Sequence, residues 1–373
     1  MILTQLQAIF ALAIKEFLAL LRDKRSRMVL IGPPIAQLLV FGYAATFDLN
    51  HVPVAIYNED TGIVSRDFIS RLQGSPNFKI IQSIHKDADI APLIDNKKAL
   101  LVLHIDPRFS NNLQKNIPAH VQIILDGRNS NTAMIALNYM QSLLMDFNLN
   151  WAKLHGTSKP PATLKIRAWY NENLQSRWFI ISGIIAILTL VVTLTVTALS
   201  VARERESGTF DQLLVTPLTP LQILIGKALP GIVIGIIEAS FIIVAAVYWF
   251  DIPLRGNLGA LYLGLFLFLL SAVGVGLMIS AIATTQQQAV LGAFLFLVPA
   301  VILSGFATPI ANMPEMIQWL TYIDPLRYIL IIIRGVFLEG DSYTLLFNQY
   351  WQMAIIGIVS LATAGWLFRK RMY

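Results

Sequence analysis

Long apolar runs separated by polar segments make up most of the chain, and their lengths predict membrane-spanning helices. A bilayer core about 30 Å thick is crossed by roughly 20 apolar residues in a helix. Five runs reach that length and a sixth is slightly shorter, so we predict six transmembrane helices. They cover residues 28–47, 178–201, 231–250, 258–283, 289–306 and 350–368.

The basic residues beside these runs predict the orientation of the chain. Lysine and arginine near the ends of membrane spans are retained on the cytoplasmic side. Several precede the first predicted span, at Lys15 and within residues 22–27, and three follow the last, at residues 369–371. Both termini are therefore expected in the cytoplasm, which agrees with an even number of crossings.

The first 27 residues carry apolar side chains at helical spacing, which predicts an amphipathic helix. Lys15 and Glu16 interrupt the apolar run, the basic cluster follows it, and there is no small-residue cleavage site, so a cleaved signal is not expected. Such a helix would lie in the inner membrane interface and lead into the first span.

About 130 residues of ordinary soluble composition separate the first two predicted spans, over residues 48–177. Strand-length apolar runs alternate there with helical patterns, which is typical of an α/β domain with a largely parallel sheet. We therefore predict an α-helical integral membrane protein with an extracytoplasmic α/β domain inserted between helices 1 and 2. The strands are expected at 52–57, 78–84, 99–105 and 121–125, and the helices at 64–72, 88–96, 107–116 and 131–154.

Composition excludes several other classes of protein. The chain is 55% hydrophobic and only 13% charged, and it has no cysteine, which excludes disulfide scaffolds and zinc sites built on thiolates. Its net charge of +6 is not gathered on one polar face, so nucleic acid is not an expected partner. The five histidines form no metal-ligand spacing, and no catalytic or metal-binding residues are predicted. Gly226-Lys227 is followed by Ala228 and does not complete a phosphate-binding loop, so ATP hydrolysis is not expected from this chain.

Residues 202–227 form the longest internal loop predicted on the inner side, and the loop contains two sequence signals for the start of a helix. Thr209 and Thr219 each precede a glutamine by three residues, which is the spacing of a capping box. Pro220 follows at a first helical position, and Pro217 ends the preceding helix. We predict a stiff, short helix parallel to the membrane rather than a flexible tether. A capped turn with no partner is the alternative.

This loop resembles the first inner loop of permease subunits in bacterial ATP-binding cassette exporters of the second type. In that family a Glu-Arg-Glu-x-Gly-Thr run precedes an acidic residue, leucines and a Thr-Pro or Ser-Pro break. Asp211 stands where the family usually has glutamate, which shortens the side chain by one methylene. The order of leader, insertion and spans also resembles the family, above all its drug-efflux branch with an enlarged outer domain. The resemblance assigns the coupling loop to Arg203, Glu204, Arg205, Glu206, Gly208, Thr209, Phe210, Asp211, Leu213, Leu214 and Pro217.

The resemblance also implies the partners of the chain. A separate cytoplasmic ATPase would dock on residues 203–217 and would bind ATP and Mg²⁺, with no cofactor on this chain. The permease would work as a homodimer or beside a sister permease, surrounded by lipid of the bacterial inner membrane. A periplasmic adaptor would join where the cell has two membranes. The implied substrate is a drug or small hydrophobic compound, moved outward. The alternative is a membrane-anchored receptor or assembly protein that acts through its outer domain.

Charged residues within apolar surroundings are the remaining candidates. Glu238 lies midway along the third predicted span, where an ionisable group is costly. It would bind a cationic substrate, relay a proton or bond across a dimer, or else form a buried polar contact that fixes packing. Residues 307–348 are predicted as short re-entrant or surface helices on the outer side. Asp324, Arg327 and Arg334 lie there; the first two can pair at i, i+3, and the resemblance implies an outer gate, with a solvated face as the alternative.

Overall fold

The computed structural model describes residues 2–22, 24–44, 49–128, 130–156, 175–210 and 218–372. The chain divides into two compact units. Met1–Ala45 and Ala168–Tyr373 together form one, called here the membrane unit, and Thr46–Arg167 forms the other, called here the inserted unit. The placement of the inserted unit outside the cytoplasm stays a prediction, as do the domain boundaries given above.

A four-stranded sheet lies at the centre of the inserted unit, in the order β2-β1-β3-β4. β1 is parallel to both of its neighbours, whereas β4 is antiparallel to β3. The predicted strands are therefore confirmed, and the sheet is parallel except at one edge. The strands are β1 (Val52–Asn58), β2 (Phe78–Ile84), β3 (Leu101–Ile105) and β4 (Val121–Leu125).

Helices cover the sheet because parallel strands need crossover connections, which bury both faces. On one face Phe68 and Phe147 pack in a cluster with Leu101 and Leu103. On the other, Leu93 packs with residues that include Val102. The helices of this unit are α3 (Ile63–Gly74), α4 (Ile90–Asp95), α5 (Phe109–Gln114) and α6 (Ser130–His155).

Within the described residues, five helices of the membrane unit are long and apolar enough to cross a membrane. The first predicted span falls on α2 (Lys24–Ala44), whose apolar stretch Ile31–Tyr43 is shorter than the roughly 20 residues of a full crossing. Its predicted end, residues 45–47, lies outside the described residues, so the number six stays a prediction. The five long helices are α7 (Ser176–Glu206), α8 (Pro220–Tyr248), α9 (Leu258–Ile282), α10 (Gln286–Leu303) and α13 (Phe347–Met372).

The inner loop is shorter than the predicted 202–227, because both flanking helices extend into it. α7 continues to Glu206, and α8 begins at Pro220 and passes through Pro230 without a break. At the start of α8 the predicted capping box is present. The Gln222 N–H donates to Thr219 Oγ1 at 3.4 Å, and the Thr219 N–H donates to Gln222 Oε1 at 2.9 Å. Hydropathy alone missed this first part of α8 because it carries polar residues that contact protein rather than lipid.

α7 is the most buried of the five long helices and packs at the centre of the membrane unit. Its neighbours approach closely where glycine leaves room. A Cβ at Gly276 of α9 would overlap Thr197 of α7, and one at Gly274 would overlap Ser360 of α13. Close approach of small residues is a main source of helix association in membranes.

Residues 307–348 include two short α-helices, one exposed and one buried. α11 (Glu315–Leu320) buries none of its side chains, whereas α12 (Pro325–Arg334) places Ile329 and Ile333 in the core shared by α7, α8, α9 and α13. A π-helical turn, Gly335–Glu339, follows. Short helices are therefore confirmed here, and their location on the outer side stays a prediction.

The amphipathic helix predicted at the N-terminus is present as α1 (Ile2–Arg22). Phe10 and Ile14, from the predicted apolar face, are exposed. The side of α1 that packs against the bundle carries Leu12, Glu16 and Leu20. The exposed apolar stripe suits a helix lying in the membrane interface, and the buried glutamate is the part that hydropathy did not predict.

Candidate functional site

The charged run at the inner end of α7 directs successive side chains toward different neighbouring helices. Residues in an α-helix are about 100° apart around the axis, so consecutive side chains leave in different directions. Arg203, Glu204, Arg205 and Glu206 occupy the last turn of α7. The last three of these side chains each bind a different part of the membrane unit.

Glu204 is part of a four-charge network that joins α7 to α1 and α8. Its carboxylate lies 3.0 Å from Lys15 Nζ and 2.7 Å from Lys227 Nζ. Lys227 Nζ also lies 2.9 Å from the carboxylate of Glu16, and it donates to Ser200 Oγ at 3.4 Å. Two ammonium groups and two carboxylates balance, so the network is neutral as a whole. We call these four charged residues the inner charge network.

Burial makes the balance within this network important. The side chain of Lys227 is 1% exposed and those of Glu16 and Glu204 are 10% exposed, whereas Lys15 is 58% exposed. A buried charge is tolerated only when it is paired and hydrogen-bonded. Lys227 therefore holds the two buried carboxylates, and Lys15 closes the network at the surface.

Arg205 and Glu206 bind the turn between α9 and α10. The Arg205 guanidinium donates to the carbonyl oxygens of Ala281 at 2.8 Å and Ala283 at 3.2 Å, at the C-terminal end of α9. The Glu206 carboxylate accepts from the backbone N–H of Gln286, the first residue of α10, at 2.8 Å. A cation at a helix C-terminus and an anion at a helix N-terminus both satisfy backbone groups that the helix leaves open.

Phe210 connects the start of the coupling loop to α1, α8 and α13. It is buried against Leu12, Ile223 and Phe368, and the Arg205 guanidinium lies 5.0 Å from its ring centre. Gly208 has φ of +70°, in the left-handed region that favours glycine, and it lets the chain turn sharply after α7. Residues 204–210 therefore contact every long helix of the membrane unit as well as α1.

Part of the predicted coupling loop lies outside the described residues. This applies to Asp211, Leu213, Leu214 and Pro217, and to the capping box of Thr209 with Gln212. The described side chain of Thr209 lies 2.9 Å from Ser207 Oγ. The short helix parallel to the membrane stays a prediction.

Glu238 occupies a separate place in the membrane unit, 11 positions beyond Lys227 on α8. It is buried, and neither carboxyl oxygen has a hydrogen-bond partner within the described residues. The nearby Ser240 does not bind it, because its hydroxyl lies 2.7 Å from Tyr262 Oη and donates to the Ile236 carbonyl.

Two of the three candidate gate residues, Asp324 and Arg327, form no ion pair with each other within the part of the chain that the structure describes. Asp324 caps α12 by accepting from the Leu326 N–H at 3.0 Å. Arg327 donates to Thr321 Oγ1, and its guanidinium lies 4.2 Å from the Tyr322 ring centre, while that of Arg334 lies 4.0 Å from Phe179. The i, i+3 spacing allows Asp324 and Arg327 to pair, but the aspartate satisfies a helix N-terminus and the arginine stacks on an aromatic ring. The outer-gate role of the three residues stays a prediction.

Two buried members of the inner charge network, Lys227 and Glu16, are not predicted as functional residues from the sequence. In the sequence Lys227 belongs to an incomplete phosphate-binding motif, and Glu16 interrupts an apolar run. The usable signal was the same for both: a charge on an otherwise apolar helical face that packs against other helices. Which charges pair could not be inferred, since Glu16 and Lys227 are 211 residues apart.

The model of one protein family, described as ABC-2 family transporter protein, matches residues 24–366. The chain belongs to this family. Among its relatives, the probable multidrug ABC transporter permease YbhR of Escherichia coli is 39% identical over 96% of this chain and 97% of its own. The probable multidrug ABC transporter permease YbhS of the same species is 32% identical over 97% and 96% of the two chains. The inner membrane transport permease YhhJ of Escherichia coli is 26% identical over 98% of each.

Membership of the ABC-2 family agrees with the architecture of the membrane unit. Permeases of this family are membrane components of ABC transporters, and the five long apolar helices suit that location. The resemblance inferred from the inner loop is therefore confirmed, and a permease role follows for this chain.

Proposed function

We propose that this chain is the transmembrane subunit of an exporter powered by a separate cytoplasmic ABC ATPase. The ATPase docks on residues 203–217 and binds ATP and Mg²⁺, while the permease forms the path through the inner membrane with both termini in the cytoplasm. Two permease chains, identical or sister subunits, complete the transporter. The substrate is a drug or small hydrophobic compound, and the description of YbhR and YbhS as probable multidrug permeases supports a drug.

The contacts of residues 204–210 are the observation that supports this proposal. A force applied to this segment reaches α1 and α8 through Glu204, α9 and α10 through Arg205 and Glu206, and α13 through Phe210. Coupling between sites travels through packed side chains and hydrogen bonds that connect rigid elements. An ATPase bound there would therefore move several membrane helices together.

Driving transport requires more than docking. The nucleotide states of the ATPase must bind the inward-open and outward-open permease with different affinities, because equal affinities shift no equilibrium. The inner charge network and Arg205 are positioned to differ between those states, since each bridges separate helices.

The test compares two arginines that donate to backbone carbonyls in different places. Arg205 binds the end of α9, whereas Arg255 donates to the Leu338 carbonyl at 3.1 Å, far along the chain from the coupling loop. The permease is purified in nanodiscs with a candidate ABC ATPase from the same organism. We expect Arg205→Ala to lower permease-stimulated ATP hydrolysis by roughly 2- to 30-fold, matching a coupling energy of about 0.5–2 kcal/mol. Arg255→Ala should retain normal stimulation.

Two results would count against the proposal. Failure of any neighbouring ABC ATPase to co-purify in any nucleotide state would favour the receptor alternative. Labelling of the loop from outside the cytoplasm would show that the chain has the opposite orientation in the membrane. The chain has no native cysteine, so Ser207→Cys supplies a unique thiol that a membrane-impermeant reagent should reach only from the cytoplasmic side.

A further inference from the structure

A cavity of about 380 Å³ lies between α1, α2 and α8, and Glu238 lines it. Apart from Arg27 and Glu238, its lining is apolar, with Phe17 from α1, Ile35 from α2 and Phe241 from α8 among the contributors. Small-molecule sites in proteins are concave and mostly apolar, with a few polar groups, and measure about 300–1,000 Å³. This cavity has the size and the composition of such a site.

The Glu238 carboxyl group lines the cavity and lacks a hydrogen-bond donor within the described residues. The residue is 9% exposed, and both of its oxygens lack a hydrogen-bond donor within the described residues. The nearest cation along α8, Lys227, is already bound to Glu16 and Glu204. A carboxyl group buried without a donor is costly to ionise, and a cation that binds beside it offsets part of that cost and favours the ionised form.

We propose that this cavity binds a hydrophobic organic cation, with the positive group at Glu238 and the apolar body against the aromatic and aliphatic walls. Phe17 and Phe241 line the cavity and add attraction for a cation through their ring faces. The inference deepens the proposed export function, on which it rests for the direction of transport, by naming the substrate class. Binding itself needs no ATPase.

The cavity also lies close to the inner charge network along two helices. Phe17 is the residue next to Glu16 on α1. On α8, Lys227 and Glu238 are 11 positions apart, which is about three helical turns and places them on the same face. A ligand that moves α1 against α8 at the cavity therefore also moves the two helices that Lys227 and Glu16 join.

Arg27 is the second charged residue of the cavity and provides an internal check on the ligand's charge. Its side chain is exposed, where solvent screens its field, whereas Glu238 is buried, where its field is strong. A cation should bind despite Arg27, and Arg27→Gln should leave its affinity unchanged or raise it. A zwitterionic ligand would instead lose affinity in that variant, which would overturn the assignment to a simple cation.

The experiment measures binding of tetraphenylphosphonium and tetraphenylborate, which have nearly the same shape and opposite charge, to the full-length permease in nanodiscs without ATPase. We expect the wild type to bind the phosphonium ion, and Glu238→Gln to weaken that binding by about tenfold or more. Tetraphenylborate binding should not fall in Glu238→Gln. Glu315→Gln, at an exposed glutamate of α11, and Val244→Ala, at an exposed position of α8 outside the cavity, should match the wild type.

Equal binding of the phosphonium ion by the wild type and Glu238→Gln would overturn the proposal. So would dissociation of permease dimers in Glu238→Gln, measured by mass photometry, because Glu238 would then bond to a second chain. Phe241→Ala tests the apolar wall of the cavity without changing its charge and should weaken binding of the phosphonium ion. Because no ATPase is present, failure here leaves the ATPase coupling experiment unaffected, and the reverse also holds.

Discussion

Replacing Lys227 by methionine should destabilise the membrane unit far more than the same replacement of Lys15. Both lysines bind Glu204, at 2.7 Å and 3.0 Å, but Lys227 is buried and Lys15 is 58% exposed. Among the described residues, Lys227→Met leaves Glu16 the Ser200 hydroxyl, at 3.4 Å, as its partner, and it removes the ammonium that binds both the Glu16 and the Glu204 carboxylates. Breaking a buried pair by removing one partner costs about 3–5 kcal/mol.

The loss of unfolding free energy in Lys15→Met should be small because the ammonium group is exposed. An exposed ammonium gains little from its partner because water screens the attraction and solvates the free charge, so Lys15→Met should cost less than about 1 kcal/mol. The double variant Lys227→Met with Glu16→Gln should regain part of the loss, since it removes one buried carboxylate together with its cation.

The assay is unfolding of the full-length permease in mixed micelles by titration with sodium dodecyl sulfate, followed by tryptophan fluorescence. The free energy of unfolding is compared among the wild type, the two single variants and the double variant. An equal loss of unfolding free energy in Lys15→Met and Lys227→Met would show that burial does not make Lys227 more important than Lys15. No recovery in the double variant would show that Glu16 and Lys227 act independently.

Two further predictions concern helix packing and pH. Gly276→Ala should lower the free energy of unfolding by about 1–3 kcal/mol, because its Cβ would overlap Thr197, whereas Gly32→Ala, with open space around it, should be nearly neutral in the same titration. In the inserted unit, burial lowers the pKa of His104, but hydrogen bonds to Glu59 and Gln122 outweigh it and place this pKa above its ordinary value of 6.5. The hydrogen bonds to His104 and Tyr57 lower the pKa of Glu59, so the ion pair is fully formed from the pH at which Glu59 ionises up to pH 6.5. Its stabilisation is lost as pH rises through the raised pKa of His104. An NMR titration of the histidines in the full chain should show a lower pKa for His104 in Glu59→Gln than in the wild type. An unchanged His104 titration would contradict this pairing.

Much of the architecture could be predicted from the sequence because the signals are local. Strands of the inserted unit follow apolar runs of strand length, and the membrane helices follow apolar runs of about 20 residues, since each reflects the period or length of one element. The capping box of Thr219 and the turn at Gly208 depend on neighbouring residues alone. The motif of residues 203–210 also identified the family before any contact was known.

Only the tertiary structure decided which charges meet. Asp324 and Arg327 are three residues apart and could pair, but a helix N-terminus and an aromatic ring compete for them. Lys227 pairs with Glu16 across 211 positions, and Glu238, which lines a mostly apolar cavity, has no hydrogen-bond partner within the described residues. Such pairings depend on how separate helices pack around buried charges, and the free energy of a buried charge is set by neighbours that are distant in the chain.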